Sequence, residues 1–202
     1  MGRGIQIDAA ADSVNIDNNV IYSITGFSGI VIDTGATRAK VNWNYIHNNE
    51  QGVVVNEQTA QFQGNRIHNN RWGIDLNKRG ATFTLLHNSN SIAGNNTNPG
   101  DSYGLSIWPG TAGAENNWWG SSSGPKATSD LSGTGNSAND TVDFNPWITG
   151  LKYSGGTVFP SSGPVVLQAK LVNSDGLPMP VPGVTVEFFA DTTSTAVVTT
   201  DA

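Results

Sequence analysis

Two aspartates are the residues best suited to bind a metal in this 202-residue chain. Asp8 and Asp33 follow equivalent short apolar segments, so a repeating fold would bring their carboxylates close together. Paired carboxylates with amide oxygens beside them are hard ligands that suit Ca²⁺. The competing interpretation is that both side chains cap turns by accepting hydrogen bonds from backbone amides, which requires no metal. The sequence favours turn capping, so we expect no cofactor, with Ca²⁺ as the open alternative.

Histidine and basic side chains form a second set of candidates. His47 and His68 follow equivalent apolar residues, and Tyr22 holds the same position in an earlier copy. Two neutral imidazoles one coil apart could bind a metal, but no carboxylate or third His joins them. We therefore expect an aromatic stack here, with Asn48–Asn49 and Asn69–Asn70 making the turns. A cluster of basic residues completes the set: Arg66, Arg71, Lys78 and Arg79, with Arg38 and Lys40 in the preceding copy.

Aromatic side chains offer another kind of chemistry, the stacking of flat rings. Rings beside Asn and Asp suit sugars, because the apolar face of a sugar packs on an aromatic ring and amides bond its hydroxyls. The alternative is that Trp43 and Trp72 only fill wide corners of the fold. The candidate carbohydrate-binding residues are Trp43, Tyr45, Trp72, Asp75 and Trp108.

All these candidates are positioned by a motif that returns five times, an Asn followed two residues later by a large apolar residue. In four copies a Gly then opens a short strand of alternating apolar residues, as in segments 29–32 and 52–55. A repeat of about 20–30 residues built only from strands and turns indicates a solenoid with one coil per repeat. The repeated residues are Asn19, Asn44, Asn65, Asn90 and Asn117, separated by 25, 21, 25 and 27 residues.

Stacking of the coils predicts a role for the repeated Asn residues. Strands lie about 4.8 Å apart in a sheet, so equivalent side chains align in columns. An inward column of Asn would form an amide ladder in which each side chain donates to the carbonyl of the next. We therefore expect these residues to be structural and not catalytic.

Composition restricts the classes of function. Only 13% of the residues are charged, the formal net charge is −6 and the pI is about 4.8, so no basic surface for nucleic acid is expected. No apolar run approaches the ~20 residues that span a bilayer, and no signal peptide is visible. Cysteine is absent. Because the first coil is already under way at Gly4, we expect the chain to be a piece of a longer protein.

The repeat resembles that of right-handed parallel β-helices in secreted bacterial and archaeal proteins. Segment 116–125, NNWWGSSSGP, followed by segment 143–148, DFNPWI, resembles the C-terminal end of such helices. The resemblance implies an all-β fold with a right-handed parallel β-helix of about five to six coils over residues 1–148. Trp119, Phe144 and Trp147 would then plug the last coil beneath a Gly- and Ser-rich capping loop.

The pattern changes after residue 148, where residues 149–163 are interpreted as a linker. Residues 164–202 resemble bacterial immunoglobulin-like domains of cell-surface adhesins, on an "SDG.P..GV.V.F" segment followed by "TTDA". We expect strands over 164–172 and 184–190 and the start of a third over 196–201. These strands would make a partial β-sandwich of roughly half the usual size.

The two resemblances together imply an extracellular or cell-surface module with a structural or adhesive role and weak binding of a polysaccharide or surface glycan. One alternative is a polysaccharide lyase or glycoside hydrolase; its discriminator is whether Asp8, Asp33, Asp75 and the Arg66/Lys78 cluster converge in one groove. The short Asp-Asp, Gly-His-Gly and Arg-Ile-Lys motifs of the polygalacturonase type are absent. Another alternative is a subunit of a surface lattice or filament. We expect a monomer, with self-association through the unfinished tail as the exception.

Overall fold

A computed structural model describes residues 2–57, 59–77, 81–83, 89–95, 103–107, 110–127, 132–139, 141–154, 168–178, 185–190 and 193–199. All helical or strand structure in these ranges is β-strand. The chain divides into two compact units, residues 1–148 and 149–202.

The first unit is a parallel β-solenoid whose strands pair in register from coil to coil. The first sheet has seven strands in the order β1 (Ile5–Ile7), β4 (Ser28–Ile32), β7 (Gln51–Val55), β10 (Trp72–Leu76), β13 (Leu105–Ile107), β16 (Ser137–Ala138) and β15 (Lys126–Ala127). The second sheet has three: β2 (Asn15–Asp17), β5 (Lys40–Asn42) and β8 (Gln61–Gln63). The third sheet has four: β3 (Val20–Tyr22), β6 (Tyr45–His47), β9 (Arg66–His68) and β12 (Ser91–Ala93).

Three successive coils, formed by β1–β3, β4–β6 and β7–β9, share this three-strand arrangement. The prediction of about five to six coils was therefore too high. From β10 onwards the middle strand belongs to a separate sheet, β11 (Ala81–Phe83), β14 (Gly110–Gly113) and β17 (Val142–Asp143). The Asn repeat continues to Asn117, beyond the regular coils. Each repeated Asn marks one corner of the solenoid, and this corner is kept in coils that lack the regular three-strand arrangement.

The core follows from the alternation along the strands of the first sheet. Ile30 pairs with Val53, and Ile32 with Val55, and all four side chains are fully buried between the sheets. Burial of one such side chain contributes about 1.5–3 kcal/mol. Val31 and Val54 belong to the outward side by the same alternation, yet only 4% and 8% of their surface is exposed. The outer side of the first sheet is therefore not open at its centre.

Each coil turns its corners with a residue in the left-handed conformation. One corner column leads from the second to the third sheet, and the next column follows the third sheet. Such a backbone suits Gly and Asn, which adopt positive φ at low cost. The first column is Asn18, Trp43, Gly64, Ser89 and Asn116, and the second is Ser23, Asn48, Asn69, Gly94 and Gly120, all with φ between 53° and 85°.

The repeated Asn residues form the amide ladder expected from the sequence. Each of them directly follows a corner residue of the first column. Each Nδ2 donates to the Oδ1 of the next coil, over distances from 2.9 to 3.1 Å between Asn19 and Asn117. Asn44, Asn65, Asn90 and Asn117 are at most 1% exposed, whereas Asn19 is half-buried. Because every buried amide has partners, the column avoids a cost of roughly 1–3 kcal/mol for each unpaired group.

A second ladder, which the sequence reading assigned to turns, runs parallel to the first. Asn49 donates to Asn70 at 3.0 Å, Asn70 to Asn95 at 2.9 Å, and Asn95 to Asn136 at 3.2 Å. In the first coil Ile24 takes this place and donates its backbone N–H to Asn49. Two amide columns therefore hold both edges of the third sheet, which carries the candidate site.

Aromatic side chains occupy the last part of the first unit. Trp119 is fully buried in the core, and Phe144 and Trp147 are partly buried against the same core. The ring centres of Trp119 and Phe144 lie 6.4 Å apart, and those of Phe144 and Trp147 lie 6.2 Å apart. Trp147 Nε1 donates to the Ser122 carbonyl at 3.0 Å.

The second unit contains two two-stranded sheets. One pairs β18 (Ile148–Ser154) with β19 (Gln168–Asn173), and the other is an antiparallel hairpin of β20 (Thr185–Ala190) and β21 (Thr193–Thr199). Thr149 Oγ1 donates to the Val172 carbonyl at 3.1 Å. β18 reaches into the stretch 149–163 that was interpreted as a linker, and residues 164–167 of the next predicted strand lie outside the described residues.

Candidate functional site

The outer face of the third sheet carries aromatic side chains, of which Tyr22 is exposed and Tyr45, His47 and His68 are half-buried. Pairing in register makes two outward rows, one along Val20, Tyr45, Arg66 and Ser91 and the other along Tyr22, His47, His68 and Ala93. Val20 and Tyr22 are 62% and 58% exposed. We call these two rows the aromatic face.

Rings on the aromatic face contact one another across and along the strands. Tyr22 and His47 stack at 5.3 Å with an interplanar angle of 6°, and Tyr45 stacks on His47 at 4.1 Å. Tyr45 meets His68 edge-on at 6.1 Å, and the Arg66 guanidinium lies 4.8 Å from the Tyr45 ring centre. Aromatic and cation–π contacts of this kind hold the rings against one another. The aromatic stack expected for Tyr22, His47 and His68 is seen in the pairing of Tyr22 with His47.

His68 is a half-buried imidazole on this face. Its burial, with smaller contributions from the nearby Arg66 and His47, lowers its pKa from 6.5 to about 4. Its Nε2 lies 2.7 Å from Ser91 Oγ. A serine next to a histidine could act as nucleophile and base, but this imidazole is a weak base and no carboxylate occupies an outward position on the face. The pair therefore lacks the third group of a catalytic triad.

The corner beside the aromatic face holds a backbone outlier. Trp43 has φ 56°, although the other residues of its corner column are Asn, Gly or Ser. A left-handed conformation costs a residue with a bulky side chain roughly 1–2 kcal/mol. The benzo ring of Trp43 lies over Gly64, where a Cβ would collide with it, and Trp43 remains 38% exposed. The ring is thus held flat on the next coil with one face open.

A row of polar side chains lies on the other side of this corner. Asp17, Asn42 and Gln63 end the three strands of the second sheet and pair in register. Asn42 Nδ2 donates to Asp17 Oδ1 at 3.1 Å, and Asp17 and Gln63 are exposed. Trp43 therefore lies between the polar row at the end of the second sheet and Tyr45 at the start of β6.

A shallow groove continues from the aromatic face to the next corner. It encloses about 420 Å³ and is lined by Ile24, Thr25, Gly26, Asn48, Asn49, Glu50, Asn69 and Arg71. Arg71 and Glu50 form a half-exposed ion pair there. The groove adds amide groups to the end of the aromatic face without adding net charge.

The two aspartates proposed for Ca²⁺ are held by an amide side chain. Gln6 Nε2 donates to Asp8 Oδ1 at 2.6 Å and to Asp33 Oδ2 at 2.7 Å. Asn56 donates to the other Asp33 oxygen at 3.4 Å, and Arg3 lies 3.7 Å from Asp33. Within the described ranges no three His, Asp or Glu residues come together as metal ligands. The carboxylates bond side chains and not the turn amides that capping would require.

Of the five predicted carbohydrate-binding residues, the four that the structure describes lie at two places. Trp43 and Tyr45 are neighbours at the edge of the aromatic face. Trp72 and Asp75 belong to β10 in the first sheet, where Trp72 lies 6.4 Å from the Tyr103 ring and Asp75 accepts a hydrogen bond from Ser106 at 2.9 Å. Trp108 lies outside the described residues. The physical reason is that β10 and β6 belong to different sheets, which the repeat period alone does not distinguish.

The acidic and basic candidates for catalysis are also separated. Asp8 and Asp33 follow β1 and β4, and Asp75 belongs to β10, so all three lie at the first sheet, whereas Arg66 lies on the third. Lys78 and Arg79 are outside the described residues. By the discriminator stated above, the described Arg66 does not lie on the sheet that holds the three aspartates.

Sequence reasoning overlooked the polar row and treated Tyr22 and the two histidines only as a corner column. A signal for the row was available, because Asp17, Asn42 and Gln63 each precede a ladder Asn by two residues.

Comparison with known proteins concerns the first unit. The family described as "right handed beta helix region" matches residues 1–125. No curated protein and no solved structure matches the chain significantly. The described residues contain no helix of the length and apolarity needed to cross a membrane.

Proposed function

Because the chain belongs to the right-handed β-helix family, we propose that it is a non-catalytic binding module that takes up a glycan on its aromatic face. The β-helix serves as a rigid scaffold, and the two amide ladders fix the sheet that presents the rings. The module acts at the cell surface or outside the cell, where the immunoglobulin-like resemblance of residues 164–202 to adhesin domains supports an adhesive role.

One observation carries this proposal: exposed large apolar side chains are concentrated on and beside one face. Four such residues are exposed in the described part of the chain, and three of them, Val20, Tyr22 and Trp43, lie on the aromatic face or at its corner. Single exposed apolar residues need no explanation, but a contiguous group marks an interaction surface.

The chemistry of this face fits a sugar chain. Flat rings offer the apolar surface on which the C–H faces of pyranoses pack, and the surrounding amides, Asp17 and Arg66 can bond hydroxyl groups. The surface is shallow and open, which is typical of weak binding to a polymer and not of a closed small-molecule pocket.

A glycan array followed by calorimetry tests the proposal. Tyr22→Ala and Tyr45→Ala should each weaken binding of the identified glycan about tenfold, since an aromatic contact is worth roughly 0.5–1.5 kcal/mol. Tyr103→Ala is the matched control, because it removes a tyrosine beside Trp72 at the first sheet and should leave affinity unchanged. Absence of glycan binding by the parent protein, or equal losses in all three variants, would show the proposal to be wrong.

A further inference from the structure

We propose that the corner at Trp43 is the principal sugar subsite of the aromatic face and that it takes a neutral hexopyranose unit. This inference rests on the proposed function and specifies the residue and the class of sugar.

The first step is the conformational cost of Trp43. Its column offers Asn18, Gly64, Ser89 and Asn116 at the equivalent corners, and Asn and Gly adopt positive φ more readily than Trp. Packing accounts for only part of the side chain, because the ring lies against Gly64 but is 38% exposed and absent from the core cluster. We take the strained backbone of an exposed aromatic residue beside the aromatic face as a mark of function.

The second step is the fixed position of the ring. Gly64 has no Cβ and so leaves room for the benzo ring of Trp43. The backbone N–H of Trp43 donates to the Gln63 carbonyl at 3.0 Å, so both the backbone and the side chain of Trp43 are held. A ring that is fixed before the ligand arrives loses little conformational entropy on binding. Trp43 is thus preorganised as a stacking platform.

The third step concerns charge. Asp17 lies in the polar row on one side of the corner, and Arg66 lies over Tyr45 on the other. Neither residue has an ion-pair partner among the ion pairs of the described residues. Asp17 and Arg66 carry opposite charges on the two sides of the corner, so together they give no net charge to attract a uronate or a sulfate. Both groups can instead bond the hydroxyls of a neutral sugar, together with Asn42 and Gln63.

The experiment compares hexamers of neutral β-glucan, mannan and galactan with oligogalacturonate, by calorimetry on the full chain. We expect at least one neutral hexamer to bind better than oligogalacturonate. Trp43→Asn should weaken its binding about tenfold or more, and Trp43→Phe should stay within about threefold of the parent. Arg38→Asn is the matched control, since it replaces another exposed left-handed residue, φ 54°, at a different corner and should not change affinity.

Thermal melting supplies an independent readout. Trp43→Asn removes the ring that packs on Gly64 and relieves the left-handed backbone; the two effects have opposite signs, so its melting temperature should stay close to that of the parent. A clear loss of stability would identify Trp43 as a packing residue and overturn the inference. Unchanged affinity in Trp43→Asn with loss in Tyr45→Ala would also overturn it while leaving the proposed function intact. Preference for oligogalacturonate would contradict the neutral sugar, and no binding of any glycan by the parent would refute the proposed function itself.

Discussion

Replacement of Asn65 by Leu tests the amide ladder most directly, because Asn65 is fully buried near its centre. Its Nδ2 donates to the Val41 carbonyl at 2.6 Å and to Asn90 Oδ1 at 2.9 Å. Its Oδ1 accepts from the backbone N–H of Asn44 at 3.0 Å and from Asn44 Nδ2 at 3.1 Å. Leucine has a similar size and makes none of these four bonds.

The size of the stability loss depends on which hydrogen-bond partners of Asn65 still have another bond in the variant. Asn90 Oδ1 still accepts from the Asn65 N–H at 3.0 Å, and Asn44 Nδ2 still donates to the Ile16 carbonyl at 2.7 Å. The Asn44 N–H and the Val41 carbonyl lose their side-chain partner, at about 1–3 kcal/mol for each buried group. After a partial offset from burial of the Leu side chain, we expect a loss of roughly 2–5 kcal/mol.

Thermal and urea unfolding measure this loss, which should lower Tm by roughly 5–15 °C for a chain of this size. Asn19→Leu is the control in the same column, because Asn19 is half-buried and makes only two side-chain bonds, to Asp17 and Asn44. It should cost no more than about 1 kcal/mol. Asn70→Leu in the second ladder should cost as much as Asn65→Leu. If Asn65→Leu is no less stable than Asn19→Leu, the ladder does not stabilise the fold.

Three further predictions concern the face, the corner and catalysis. The pKa of His68 is lowered from 6.5 to about 4, so the unfolded chain binds this proton first and stability should fall as pH drops from 6.5 to about 4. His68→Gln should reduce the slope of Tm against pH in this window. Gly64→Ala should lower the free energy of unfolding by about 1–3 kcal/mol more in the parent than in the Trp43→Asn variant, which has no ring to collide with the new Cβ. If urea unfolding shows that the effects of the two substitutions simply add, the ring does not pack on Gly64. Polygalacturonate, alginate and xylan with Ca²⁺ should yield no new reducing ends or unsaturated products, and turnover abolished by Arg66→Ala would contradict the non-catalytic assignment.

Much of the fold was predictable because its determinants are periodic. The Asn at 19, 44, 65, 90 and 117 and the Gly-led apolar strands follow one period, and an alternating strand buries one side, so both the solenoid and the inward residues follow from spacing. The family match over residues 1–125 agrees with the right-handed β-helix expected from the sequence. The number of regular coils did not follow, because the period marks one corner and does not report which sheet each strand joins.

The second ladder was not predicted, although most of its Asn residues recur in the sequence with the same period as those of the first. Asn48–Asn49 and Asn69–Asn70 were interpreted as turn pairs, although only the first member of each pair is left-handed. The second member points inward and donates to the next coil, as Asn49 does to Asn70 at 3.0 Å. The first ladder follows the same rule, because the left-handed residues Trp43 and Gly64 directly precede the ladder residues Asn44 and Asn65.

The candidate site was less predictable because it depends on properties without a period. Residue type identified Trp43 and Tyr45 as aromatic, but not the side of the corner on which the rings lie. Nor did it reveal that Trp72 and Asp75 belong to another sheet, or that burial would lower the pKa of His68. Burial and backbone conformation arise from packing between coils, so they appear only once the coils are stacked.

The solenoid also separates stability from binding in a way that explains the location of the proposed site. Inward positions are occupied by Ile, Val and Asn that must match the coils above and below, so few changes are tolerated there. Corner residues need only a left-handed backbone, which Asn or Gly provides at little cost. A corner can therefore accept a costly residue without disturbing either ladder, and Trp43 is the described member of its column where this has happened. A local rule that is broken while the surrounding structure stays regular is the expected signature of a functional residue.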